Sequence, residues 1–259
     1  LEDSIAPARK DEARGLVKSA SAGLNGHGVR VFVRINSAPD LARLDIAASV
    51  CATVSGLFLP KVETGRQLGE REEDVARSET LAGLPDGHTL LVAMLETPRA
   101  IFNALSIAES SRRLIAAAFG GEDFAAAMEV PTDSPSMTHA AQVVAMAARA
   151  AGIQALGLPG SIAEFADLRE LKRVALRARQ MGYTGTPCIH PDQVSVFNEA
   201  FGVTEADAAD AGEIVHLYEK SLSEGLGAVA FRGRMIDIPV YQRALATQRR
   251  ARLIAQSRG

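Results

Sequence analysis

The stretch Thr89-Leu90-Leu91-Val92-Ala93-Met94-Leu95-Glu96 is a short apolar run that ends in a carboxylate. Apolar runs of this length, bounded by polar residues, are typical of strands buried on both faces of a parallel sheet. Similar runs lie at residues 29–35, 56–60, 114–119, 153–158 and 186–189, and a weaker one at 228–231. The strong runs predict six parallel strands.

Helix-length segments separate these runs. They are predicted at residues 40–50, 63–81, 98–109, 135–151 and 162–181. In the last of them, Ile162, Phe165, Leu168, Leu171 and Ala175 recur at helical spacing and form one apolar face. The regular alternation of strands and helices predicts an α/β protein, either an open doubly wound sheet or a (β/α)₈ barrel.

Two observations favour the barrel. A doubly wound dinucleotide-binding sheet carries G-x-G-x-x-G after its first strand, whereas Gly23-Leu24-Asn25-Gly26-His27-Gly28 has other spacing and precedes a strand. Polar residues also lie at the ends of the runs, and in a barrel those ends converge on one axial site. These residues are Arg34, Asn36, Lys61, Glu63, Glu96, Glu122, Asp123 and His190. We therefore expect a TIM barrel over residues 1–200 and a C-terminal helical extension over residues 201–259.

The composition argues against two classes of partner. Lysine and arginine total 28 against 31 acidic residues, a net charge of -3, which does not match the basic surface of a nucleic-acid-binding protein. No apolar run approaches the roughly 18 residues of a membrane span. We expect neither nucleic acid nor membrane as a partner.

The two cysteines, Cys51 and Cys188, favour a reducing, cytoplasmic location.

Two carboxylates at consecutive strand ends predict a metal site. Glu96 ends the run at 89–95, and Asp123 follows the run at 114–119. Neighbouring strands lie about 4.8 Å apart, so both side chains can reach one ion. An all-oxygen pair with open positions favours Mg²⁺. The alternative is that either residue only caps the helix that follows, since acidic residues are common at helix starts.

Other candidate residues adjoin this pair. Gly120 and Gly121 either let backbone N–H groups approach a substrate carboxylate or form a simple tight turn. Arg34 lies inside an apolar strand and needs a negative partner, which is either a substrate carboxylate or a structural acid. His190 follows the run at 186–189, and a lone histidine is more often structural than a ligand. The chain has no P-loop, no G-x-S-x-G elbow and no histidine pair with zinc-site spacing.

Six ordered segments match a known family. They are Leu1-Glu2-Asp3-Ser4-Ile5-Ala6-Pro7, Val33-Arg34-Ile35-Asn36, Leu59-Pro60-Lys61-Val62-Glu63, Glu96-Thr97-Pro98, Phe119-Gly120-Gly121-Glu122-Asp123 and Cys188-Ile189-His190-Pro191. Together they resemble the HpcH/HpaI aldolase and citrate lyase β-subunit family over essentially the whole chain. The resemblance implies a TIM barrel whose second strand ends in the Leu-Glu-Asp-Ser motif. Because this chain begins at that motif without a methionine, we expect the first strand and helix to be missing from it.

The resemblance also implies roles for these residues. It places Mg²⁺ on Glu96 and Asp123, and it places Arg34 on the substrate carboxylate or carbonyl. Glu2 and Asp3 match an acidic pair in the same pocket and are expected to take part in catalysis. The expected substrate-binding residues, besides Arg34, are Lys61, Gly120, Gly121, Glu122, His190 and Pro191. His190 and Pro191 lie in a segment that matches a segment near the acyl-carrier thioester in family members.

The C-terminal region carries a further resemblance. Phe231-Arg232-Gly233-Arg234-Met235-Ile236-Asp237-Ile238-Pro239 is similar to a segment of the stand-alone malyl-CoA and citramalyl-CoA lyases. In such lyases the aspartate matching Asp237 enters a neighbouring subunit's active site. The alternative is that Asp237 only caps the helix that starts near Pro239. The sequence departs from many relatives near Gly157, where they carry an acidic residue, so the choice of substrate stays open.

The resemblance implies a Mg²⁺-dependent carbon–carbon lyase that cleaves or forms a carboxylated β-hydroxyacyl-CoA such as malyl-CoA, citramalyl-CoA or citryl-CoA. Its small-molecule partners would be an acyl-CoA thioester and a 2-oxo acid. We expect a homotrimer or a hexamer. Two alternatives remain, a pyruvate-type class II aldolase acting on free keto acids and a citrate lyase β subunit that depends on partner chains.

Overall fold

The computed structural model describes residues 1–163 and 167–256. The chain divides into two compact units, Leu1–Val194 and Ser195–Gly259. The predicted metal ligands and all of the predicted substrate-binding residues belong to the first unit.

The first unit is built on a parallel sheet of five strands whose spatial order follows the sequence. The strands are β1 (Phe32–Arg34), β2 (Gly56–Leu59), β3 (Leu90–Leu95), β4 (Leu114–Phe119) and β5 (Gln154–Leu156). The central strands β3 and β4 are buried over almost their whole length, which explains their unbroken apolar sequences. Because all five strands are parallel, their carboxyl ends lie along one edge of the sheet.

Helices connect these strands. They are α1 (Lys10–Asn25), preceded by a 3₁₀ turn at Pro7–Arg9, α2 (Pro39–Ser49), α3 (Gly65–Leu81), α4 (Pro98–Phe102), α5 (Ala104–Ala108), α6 (Gly121–Met128), α7 (Pro135–Ala150) and α8 (Leu168–Met181). Several begin as their sequences dictate. Thr64, Thr97 and Ser134 cap α3, α4 and α7 by accepting backbone N–H groups of the first turn.

Two predictions about the sheet of this unit need correction. The run at 186–189 forms no strand, and the described part of the chain pairs there only through one parallel bridge between Leu156 and Gly185. Pro187 has no N–H for a ladder, and residues 187–189 are exposed, so this segment does not extend the sheet. The parallel α/β sheet is therefore confirmed, but it is not closed into a barrel among the described residues.

The helix predicted at 162–181 is shorter than expected. It begins at Leu168 because Asp167 caps it by accepting the N–H groups of Arg169 and Glu170. Phe165, which belonged to the predicted apolar face, lies outside the described residues. Leu171 and Ala175 are buried as predicted.

The second unit consists of helices and one hairpin. The helix α9 (Asp192–Phe201) starts at the end of the first unit, and α10 (Glu205–Ser223), β6 (Val229–Phe231), β7 (Arg234–Ile236) and α11 (Ile238–Gln256) follow. The strand predicted at 228–231 is confirmed as β6, but it pairs antiparallel with β7 in a separate two-stranded sheet. Arg232 and Gly233 form the tight turn, both with positive φ, as a two-residue hairpin loop requires. No described helix has the length and apolar character needed to cross a membrane.

Candidate active site at the carboxyl edge of the sheet

The register of β3 and β4 brings the predicted metal ligands together. Leu95 pairs with Phe119 at the carboxyl ends of these strands. Glu96 directly follows β3, and Asp123 lies in the first turn of α6, a few residues after β4. The two carboxylates therefore approach each other at the same edge of the sheet.

Glu96 is a buried carboxylate with only 3% of its surface exposed. Its Oε2 accepts the backbone N–H of Lys61 at 2.7 Å. It does not cap the following helix, because the Thr97 hydroxyl does so by accepting the N–H of Ala100. The capping alternative is therefore wrong for Glu96.

Burial raises the pKa of Glu96 to about 7. The hydrogen bond from the Lys61 N–H favours the charged carboxylate and acts against this shift. The negative charges of Asp123 and Glu2 raise the pKa further. Glu96 thus shares its surroundings with two other carboxylates, and a divalent cation would relieve their mutual repulsion. This charge pattern, and the all-oxygen chemistry of the predicted ligands, fit Mg²⁺.

Gly120 makes room for the Glu96 side chain. A Cβ atom at this position would lie 2.4 Å from Cγ and 2.6 Å from Oε1 of Glu96. The N–H of Gly120 donates to the carbonyl of Leu95 at 3.1 Å, so this N–H is not available to a substrate. The structure therefore gives Gly120 a steric reason for being glycine, different from the expected backbone contact with substrate. At Gly121 a Cβ would lie 2.8 Å from the carbonyl oxygen of Gly160.

A first prediction follows for Gly120→Ala. We expect the added methyl group to push the Glu96 carboxylate out of place and to weaken Mg²⁺ binding by at least about tenfold, the effect typical of disturbing the surroundings of a metal ligand. Isothermal titration with Mg²⁺ measures this. Gly69→Ala is the matched control, because nothing lies within 4 Å of a Cβ at that helical position. Equal affinities for the two variants would contradict the steric role of Gly120.

The raised pKa of Glu96 predicts how metal binding depends on pH. Below about pH 7 the metal-free carboxyl group is mostly protonated, so the metal has to displace a proton. The apparent Mg²⁺ affinity should then fall roughly tenfold for each pH unit below this value and level off above it. Titrations at several pH values in one buffer series measure the slope. An affinity that stays constant between about pH 6 and 8 would be inconsistent with a protonated Glu96.

Lys61 contacts both predicted metal ligands. Its N–H binds Glu96, and its Nζ lies 3.0 Å from Oδ1 of Asp123. The hydrogen bond with Asp123 raises the pKa of Lys61, while partial burial acts in the opposite direction. Lys61 has φ of 52°, a left-handed conformation that is unusual for a residue other than glycine. The structure thus pairs Lys61 with a predicted ligand rather than leaving it free for substrate.

Arg34 has a partner within the protein. Its Nε lies 2.9 Å from Oε2 of Glu2, and its Nη2 lies 4.0 Å from Oδ2 of Asp3. Glu2 is buried, and burial raises its pKa. The ion pair supports the structural alternative for Arg34, yet 42% of the arginine side chain stays exposed. Arg34 can therefore hold Glu2 and still present N–H groups to a ligand.

A cavity of about 390 Å³ opens beside these residues. Five predicted site residues line it: Arg34, Glu96, Gly120, Gly121 and Glu122. Much of the remaining wall is apolar and includes Phe32, Phe58, Met94, Leu158 and Ile189. The cavity thus combines acidic groups, a guanidinium and an apolar wall, the usual composition of a small-molecule site.

The other predicted residues are not part of the cavity wall. His190 and Pro191 follow the lining residues Cys188 and Ile189, but they are not part of the cavity wall. The His190 ring approaches Asp192, with 3.5 Å between Nδ1 and Oδ2. Asp237 belongs to the second unit, where its Oδ1 accepts the N–H of Val240 at 3.3 Å. It therefore makes the capping contact that the alternative interpretation describes.

The structure adds residues that the sequence did not reveal. Asp45 is completely buried and accepts hydrogen bonds from the backbone and the side chain of Asn36, and from Nε of Arg14. Asn36 in turn donates to the carbonyl of Leu1, next to Glu2. The available signal was the position of Asp45 on the same helical face as buried Ala42 and Ile46 of α2. A second missed residue is Ser161, whose hydroxyl contacts the Glu122 carboxylate.

Comparison with known proteins identifies the family of this chain. The family model for HpcH/HpaI aldolase/citrate lyase matches residues 1–191. The chain belongs to this family. It is thus an enzyme of the carbon–carbon lyase class found there, as the sequence resemblance predicts.

Two curated relatives and one solved structure illustrate the likeness. The citrate lyase subunit beta of Escherichia coli (strain K12) is 33% identical over 258 residues, which cover 98% of this chain and 84% of that protein. The mitochondrial citramalyl-CoA lyase of Mus musculus is 32% identical and covers 94% of this chain and 75% of its own length. The crystal structure of CitE from Mycobacterium tuberculosis, in complex with magnesium, acetoacetate and coenzyme A, is 26% identical with a TM-score of 0.73. It covers 96% of this chain and 87% of that one.

Proposed function

We propose that this family member is a Mg²⁺-dependent lyase that acts on a carboxylated β-hydroxyacyl-CoA and releases an acyl-CoA and a 2-oxo acid, or runs the reverse condensation. The observation that carries the proposal is the buried Glu96 carboxylate at the end of β3, close to Asp123, on a cavity that Arg34 also lines. The crystallised M. tuberculosis relative, which binds magnesium and coenzyme A, supports the choice of metal and of thioester.

Glu96 and Asp123 would hold the metal. Bound Mg²⁺ supplies positive charge that polarises the hydroxyl and carboxylate oxygens of a substrate. Two protein carboxylates leave positions free for water and substrate, which is how Mg²⁺ is usually bound in enzymes. Among the residues that the structure describes, no three His, Cys, Asp or Glu side chains converge on one point.

Arg34 would bind the carboxylate of the substrate. Its guanidinium is held from one side by Glu2, its side chain is 42% exposed, and the residue lines the cavity. A planar guanidinium can hold a carboxylate through two parallel hydrogen bonds, which fixes orientation as well as charge. The first turn of α6, which contributes Gly121 and Glu122 to the wall, brings its helix N-terminus to the same cavity.

The cleavage requires one proton to leave and one to arrive. The bond between the α- and β-carbons breaks, and the β-hydroxyl group gives up its proton to water as its C–O bond becomes the carbonyl of the 2-oxo acid. The electron pair of the broken bond moves to the thioester fragment as an enolate, whose α-carbon then takes up a proton. We assign Asp237, from a neighbouring subunit of a trimer or hexamer, to that proton transfer. General acid–base catalysis of this kind typically contributes about 10²–10⁴-fold.

A second candidate is a citrate lyase β subunit that works only with partner chains. The identity of 33% to the E. coli subunit favours it. The identity of 32% to the citramalyl-CoA lyase favours a stand-alone enzyme. Because the two identities are nearly equal, an experiment has to decide whether the substrate is malyl-CoA, citramalyl-CoA or citryl-CoA. A pyruvate-type class II aldolase normally pairs its metal site with a histidine base. It has less support here, because no histidine is among the described residues that line the cavity.

Three further features belong to the same proposal. We propose that the parallel sheet belongs to a (β/α)₈ barrel, since the M. tuberculosis relative aligns over 96% of the chain. The role assigned to Asp237 requires an oligomer, and we propose the homotrimer or hexamer that the sequence resemblance implies. The two free cysteines are compatible with a reducing, cytoplasmic compartment.

Release of 2-oxo acid tests the proposal. The purified protein alone is incubated with malyl-CoA and, separately, with citramalyl-CoA, first with Mg²⁺ and then with excess chelator. We expect glyoxylate or pyruvate to form only with Mg²⁺. Turnover that begins only after other citrate lyase subunits are added would support the second candidate, and turnover unaffected by chelator would rule out the Mg²⁺ mechanism.

A further inference from the structure

Lys61 binds the two predicted metal ligands through different atoms. Its backbone N–H donates to Oε2 of Glu96 at 2.7 Å, and its side-chain Nζ lies 3.0 Å from Oδ1 of Asp123. One residue therefore supplies a hydrogen bond to one carboxylate and a positive charge to the other. In the structure, the Lys61 ammonium provides the positive charge beside Asp123.

The backbone of Lys61 is fixed from both sides. The Gln67 side chain donates to the carbonyl of Lys61 at 3.3 Å and accepts the N–H of Glu63 at 2.9 Å. The N–H of Val62 donates to the carbonyl of Met94 on β3 at 3.1 Å. These contacts hold Lys61 at its unusual φ of 52°, and such strain persists only where the surroundings enforce it. The contact between the Lys61 N–H and Glu96 is thus a fixed part of the fold.

The side chain of Lys61 is held much less firmly. Its exposed fraction is 43%, and that of Asp123 is 40%. An ion pair between side chains that are this exposed is weak, and a lysine head on its long stem exchanges partners easily. The amide contact can therefore persist while the ammonium moves away.

We propose that the Lys61 ammonium is a built-in counter-ion that occupies the cation position on Asp123 in the metal-free protein and leaves it when Mg²⁺ binds. The inference rests on the proposed function, since it takes Glu96 and Asp123 as the metal ligands. The ammonium offsets part of the repulsion between the carboxylates until the divalent ion replaces it. The Lys61 N–H meanwhile keeps Glu96 oriented for the incoming metal. Metal binding then also frees a positive charge next to the cavity, so Mg²⁺ should bind before an anionic substrate.

The test compares Mg²⁺ binding by the wild type, Lys61→Met and Lys61→Arg in isothermal titrations at one pH and ionic strength. Lys61→Met keeps the backbone N–H and the length of the side chain but removes the competing charge. We expect it to bind Mg²⁺ up to about fivefold more tightly, the range that a weak exposed ion pair allows. Lys61→Arg keeps a competing charge and should bind within about twofold of the wild type.

Amine labelling of the wild-type protein gives a readout that needs no variant to fold. Lys61 should react with an acylating reagent severalfold faster at saturating Mg²⁺ than without metal, as mass spectrometry of its peptide measures. An unchanged or weaker Mg²⁺ affinity of Lys61→Met, or protection of Lys61 by Mg²⁺, would overturn the exchange while leaving the metal site standing. No Mg²⁺ binding by the wild type would overturn the exchange and the proposed function together.

Discussion

Glu96→Gln should lose Mg²⁺ binding and lower turnover of the preferred CoA thioester by about 10³-fold, the scale on which removing a preorganised charged group acts in an active site. The glutamine has nearly the same shape, and its amide oxygen can still accept the N–H of Lys61. What it lacks is the negative charge that the metal needs. Titration calorimetry with Mg²⁺ and a steady-state assay of 2-oxo acid release measure the two effects.

The same substitution should not destabilise the metal-free protein. The pKa of Glu96 is raised to about 7 in the fold, so the folded state binds more protons than the unfolded chain between the ordinary pKa of a glutamate and this value. Stability contributed by the protonated form is fully present below that window and is lost as the pH rises through about 7. A neutral glutamine avoids this loss. At pH 8, thermal unfolding of Glu96→Gln should therefore occur at the wild-type temperature or above it.

Glu63→Gln is the matched control for the loss of a carboxylate. Glu63 follows the neighbouring strand β2, but its Oε1 accepts the Thr97 hydroxyl at 2.7 Å, and its Oε2 lies 3.8 Å from Nε of Arg99. We expect this variant to bind Mg²⁺ like the wild type. If both variants lost metal binding equally, or if Glu96→Gln bound it normally, the assignment of Glu96 would be wrong.

Asp237→Asn should lower turnover by about 10²–10⁴-fold and leave stability nearly unchanged. Asparagine caps helices about as well as aspartate, so the contact with the Val240 N–H at the start of α11 survives. An amide cannot give or take the proton at the substrate α-carbon. The measurements are kcat with the intact, assembled protein and the thermal unfolding temperature.

Asp237→Ala separates the two roles of this residue. It removes the cap as well as the carboxyl group, and it should cost about 1 kcal/mol of stability in addition to the activity. If capping were the only role, Asp237→Asn would keep full activity and only the alanine variant would show a defect. That outcome would remove Asp237 from the mechanism.

Much of the fold could be predicted from the sequence because the central strands are buried on both faces. The run at 89–95 is almost entirely apolar for this reason, and β3 is found at Leu90–Leu95. The prediction of a sixth strand was wrong, because the apolar composition of that segment does not match its exposed position in the fold. Residues 186–189 have the composition of a strand end, but Pro187 and the exposure of its neighbours leave only the bridge at Gly185. The spacing of apolar residues along the sequence does not show which strand an apolar segment will pair with.

The site was predictable in part. Consecutive strand ends bring Glu96 and Asp123 together whatever the details of packing, so spacing was sufficient to nominate them. The role of Lys61 was not predictable, because it depends on a left-handed backbone conformation and on the clamp formed by Gln67. Asp45 was missed because its complete burial and its hydrogen bond from Asn36 are visible only in the folded chain.

Anomalous diffraction from crystals soaked with Mn²⁺, which prefers the same oxygen ligands as Mg²⁺, tests the central claim most directly. The account predicts one strong peak in contact with the carboxylates of Glu96 and Asp123, with the Lys61 ammonium no longer on Asp123. A peak held by other residues, or none at a concentration that supports turnover, would contradict it.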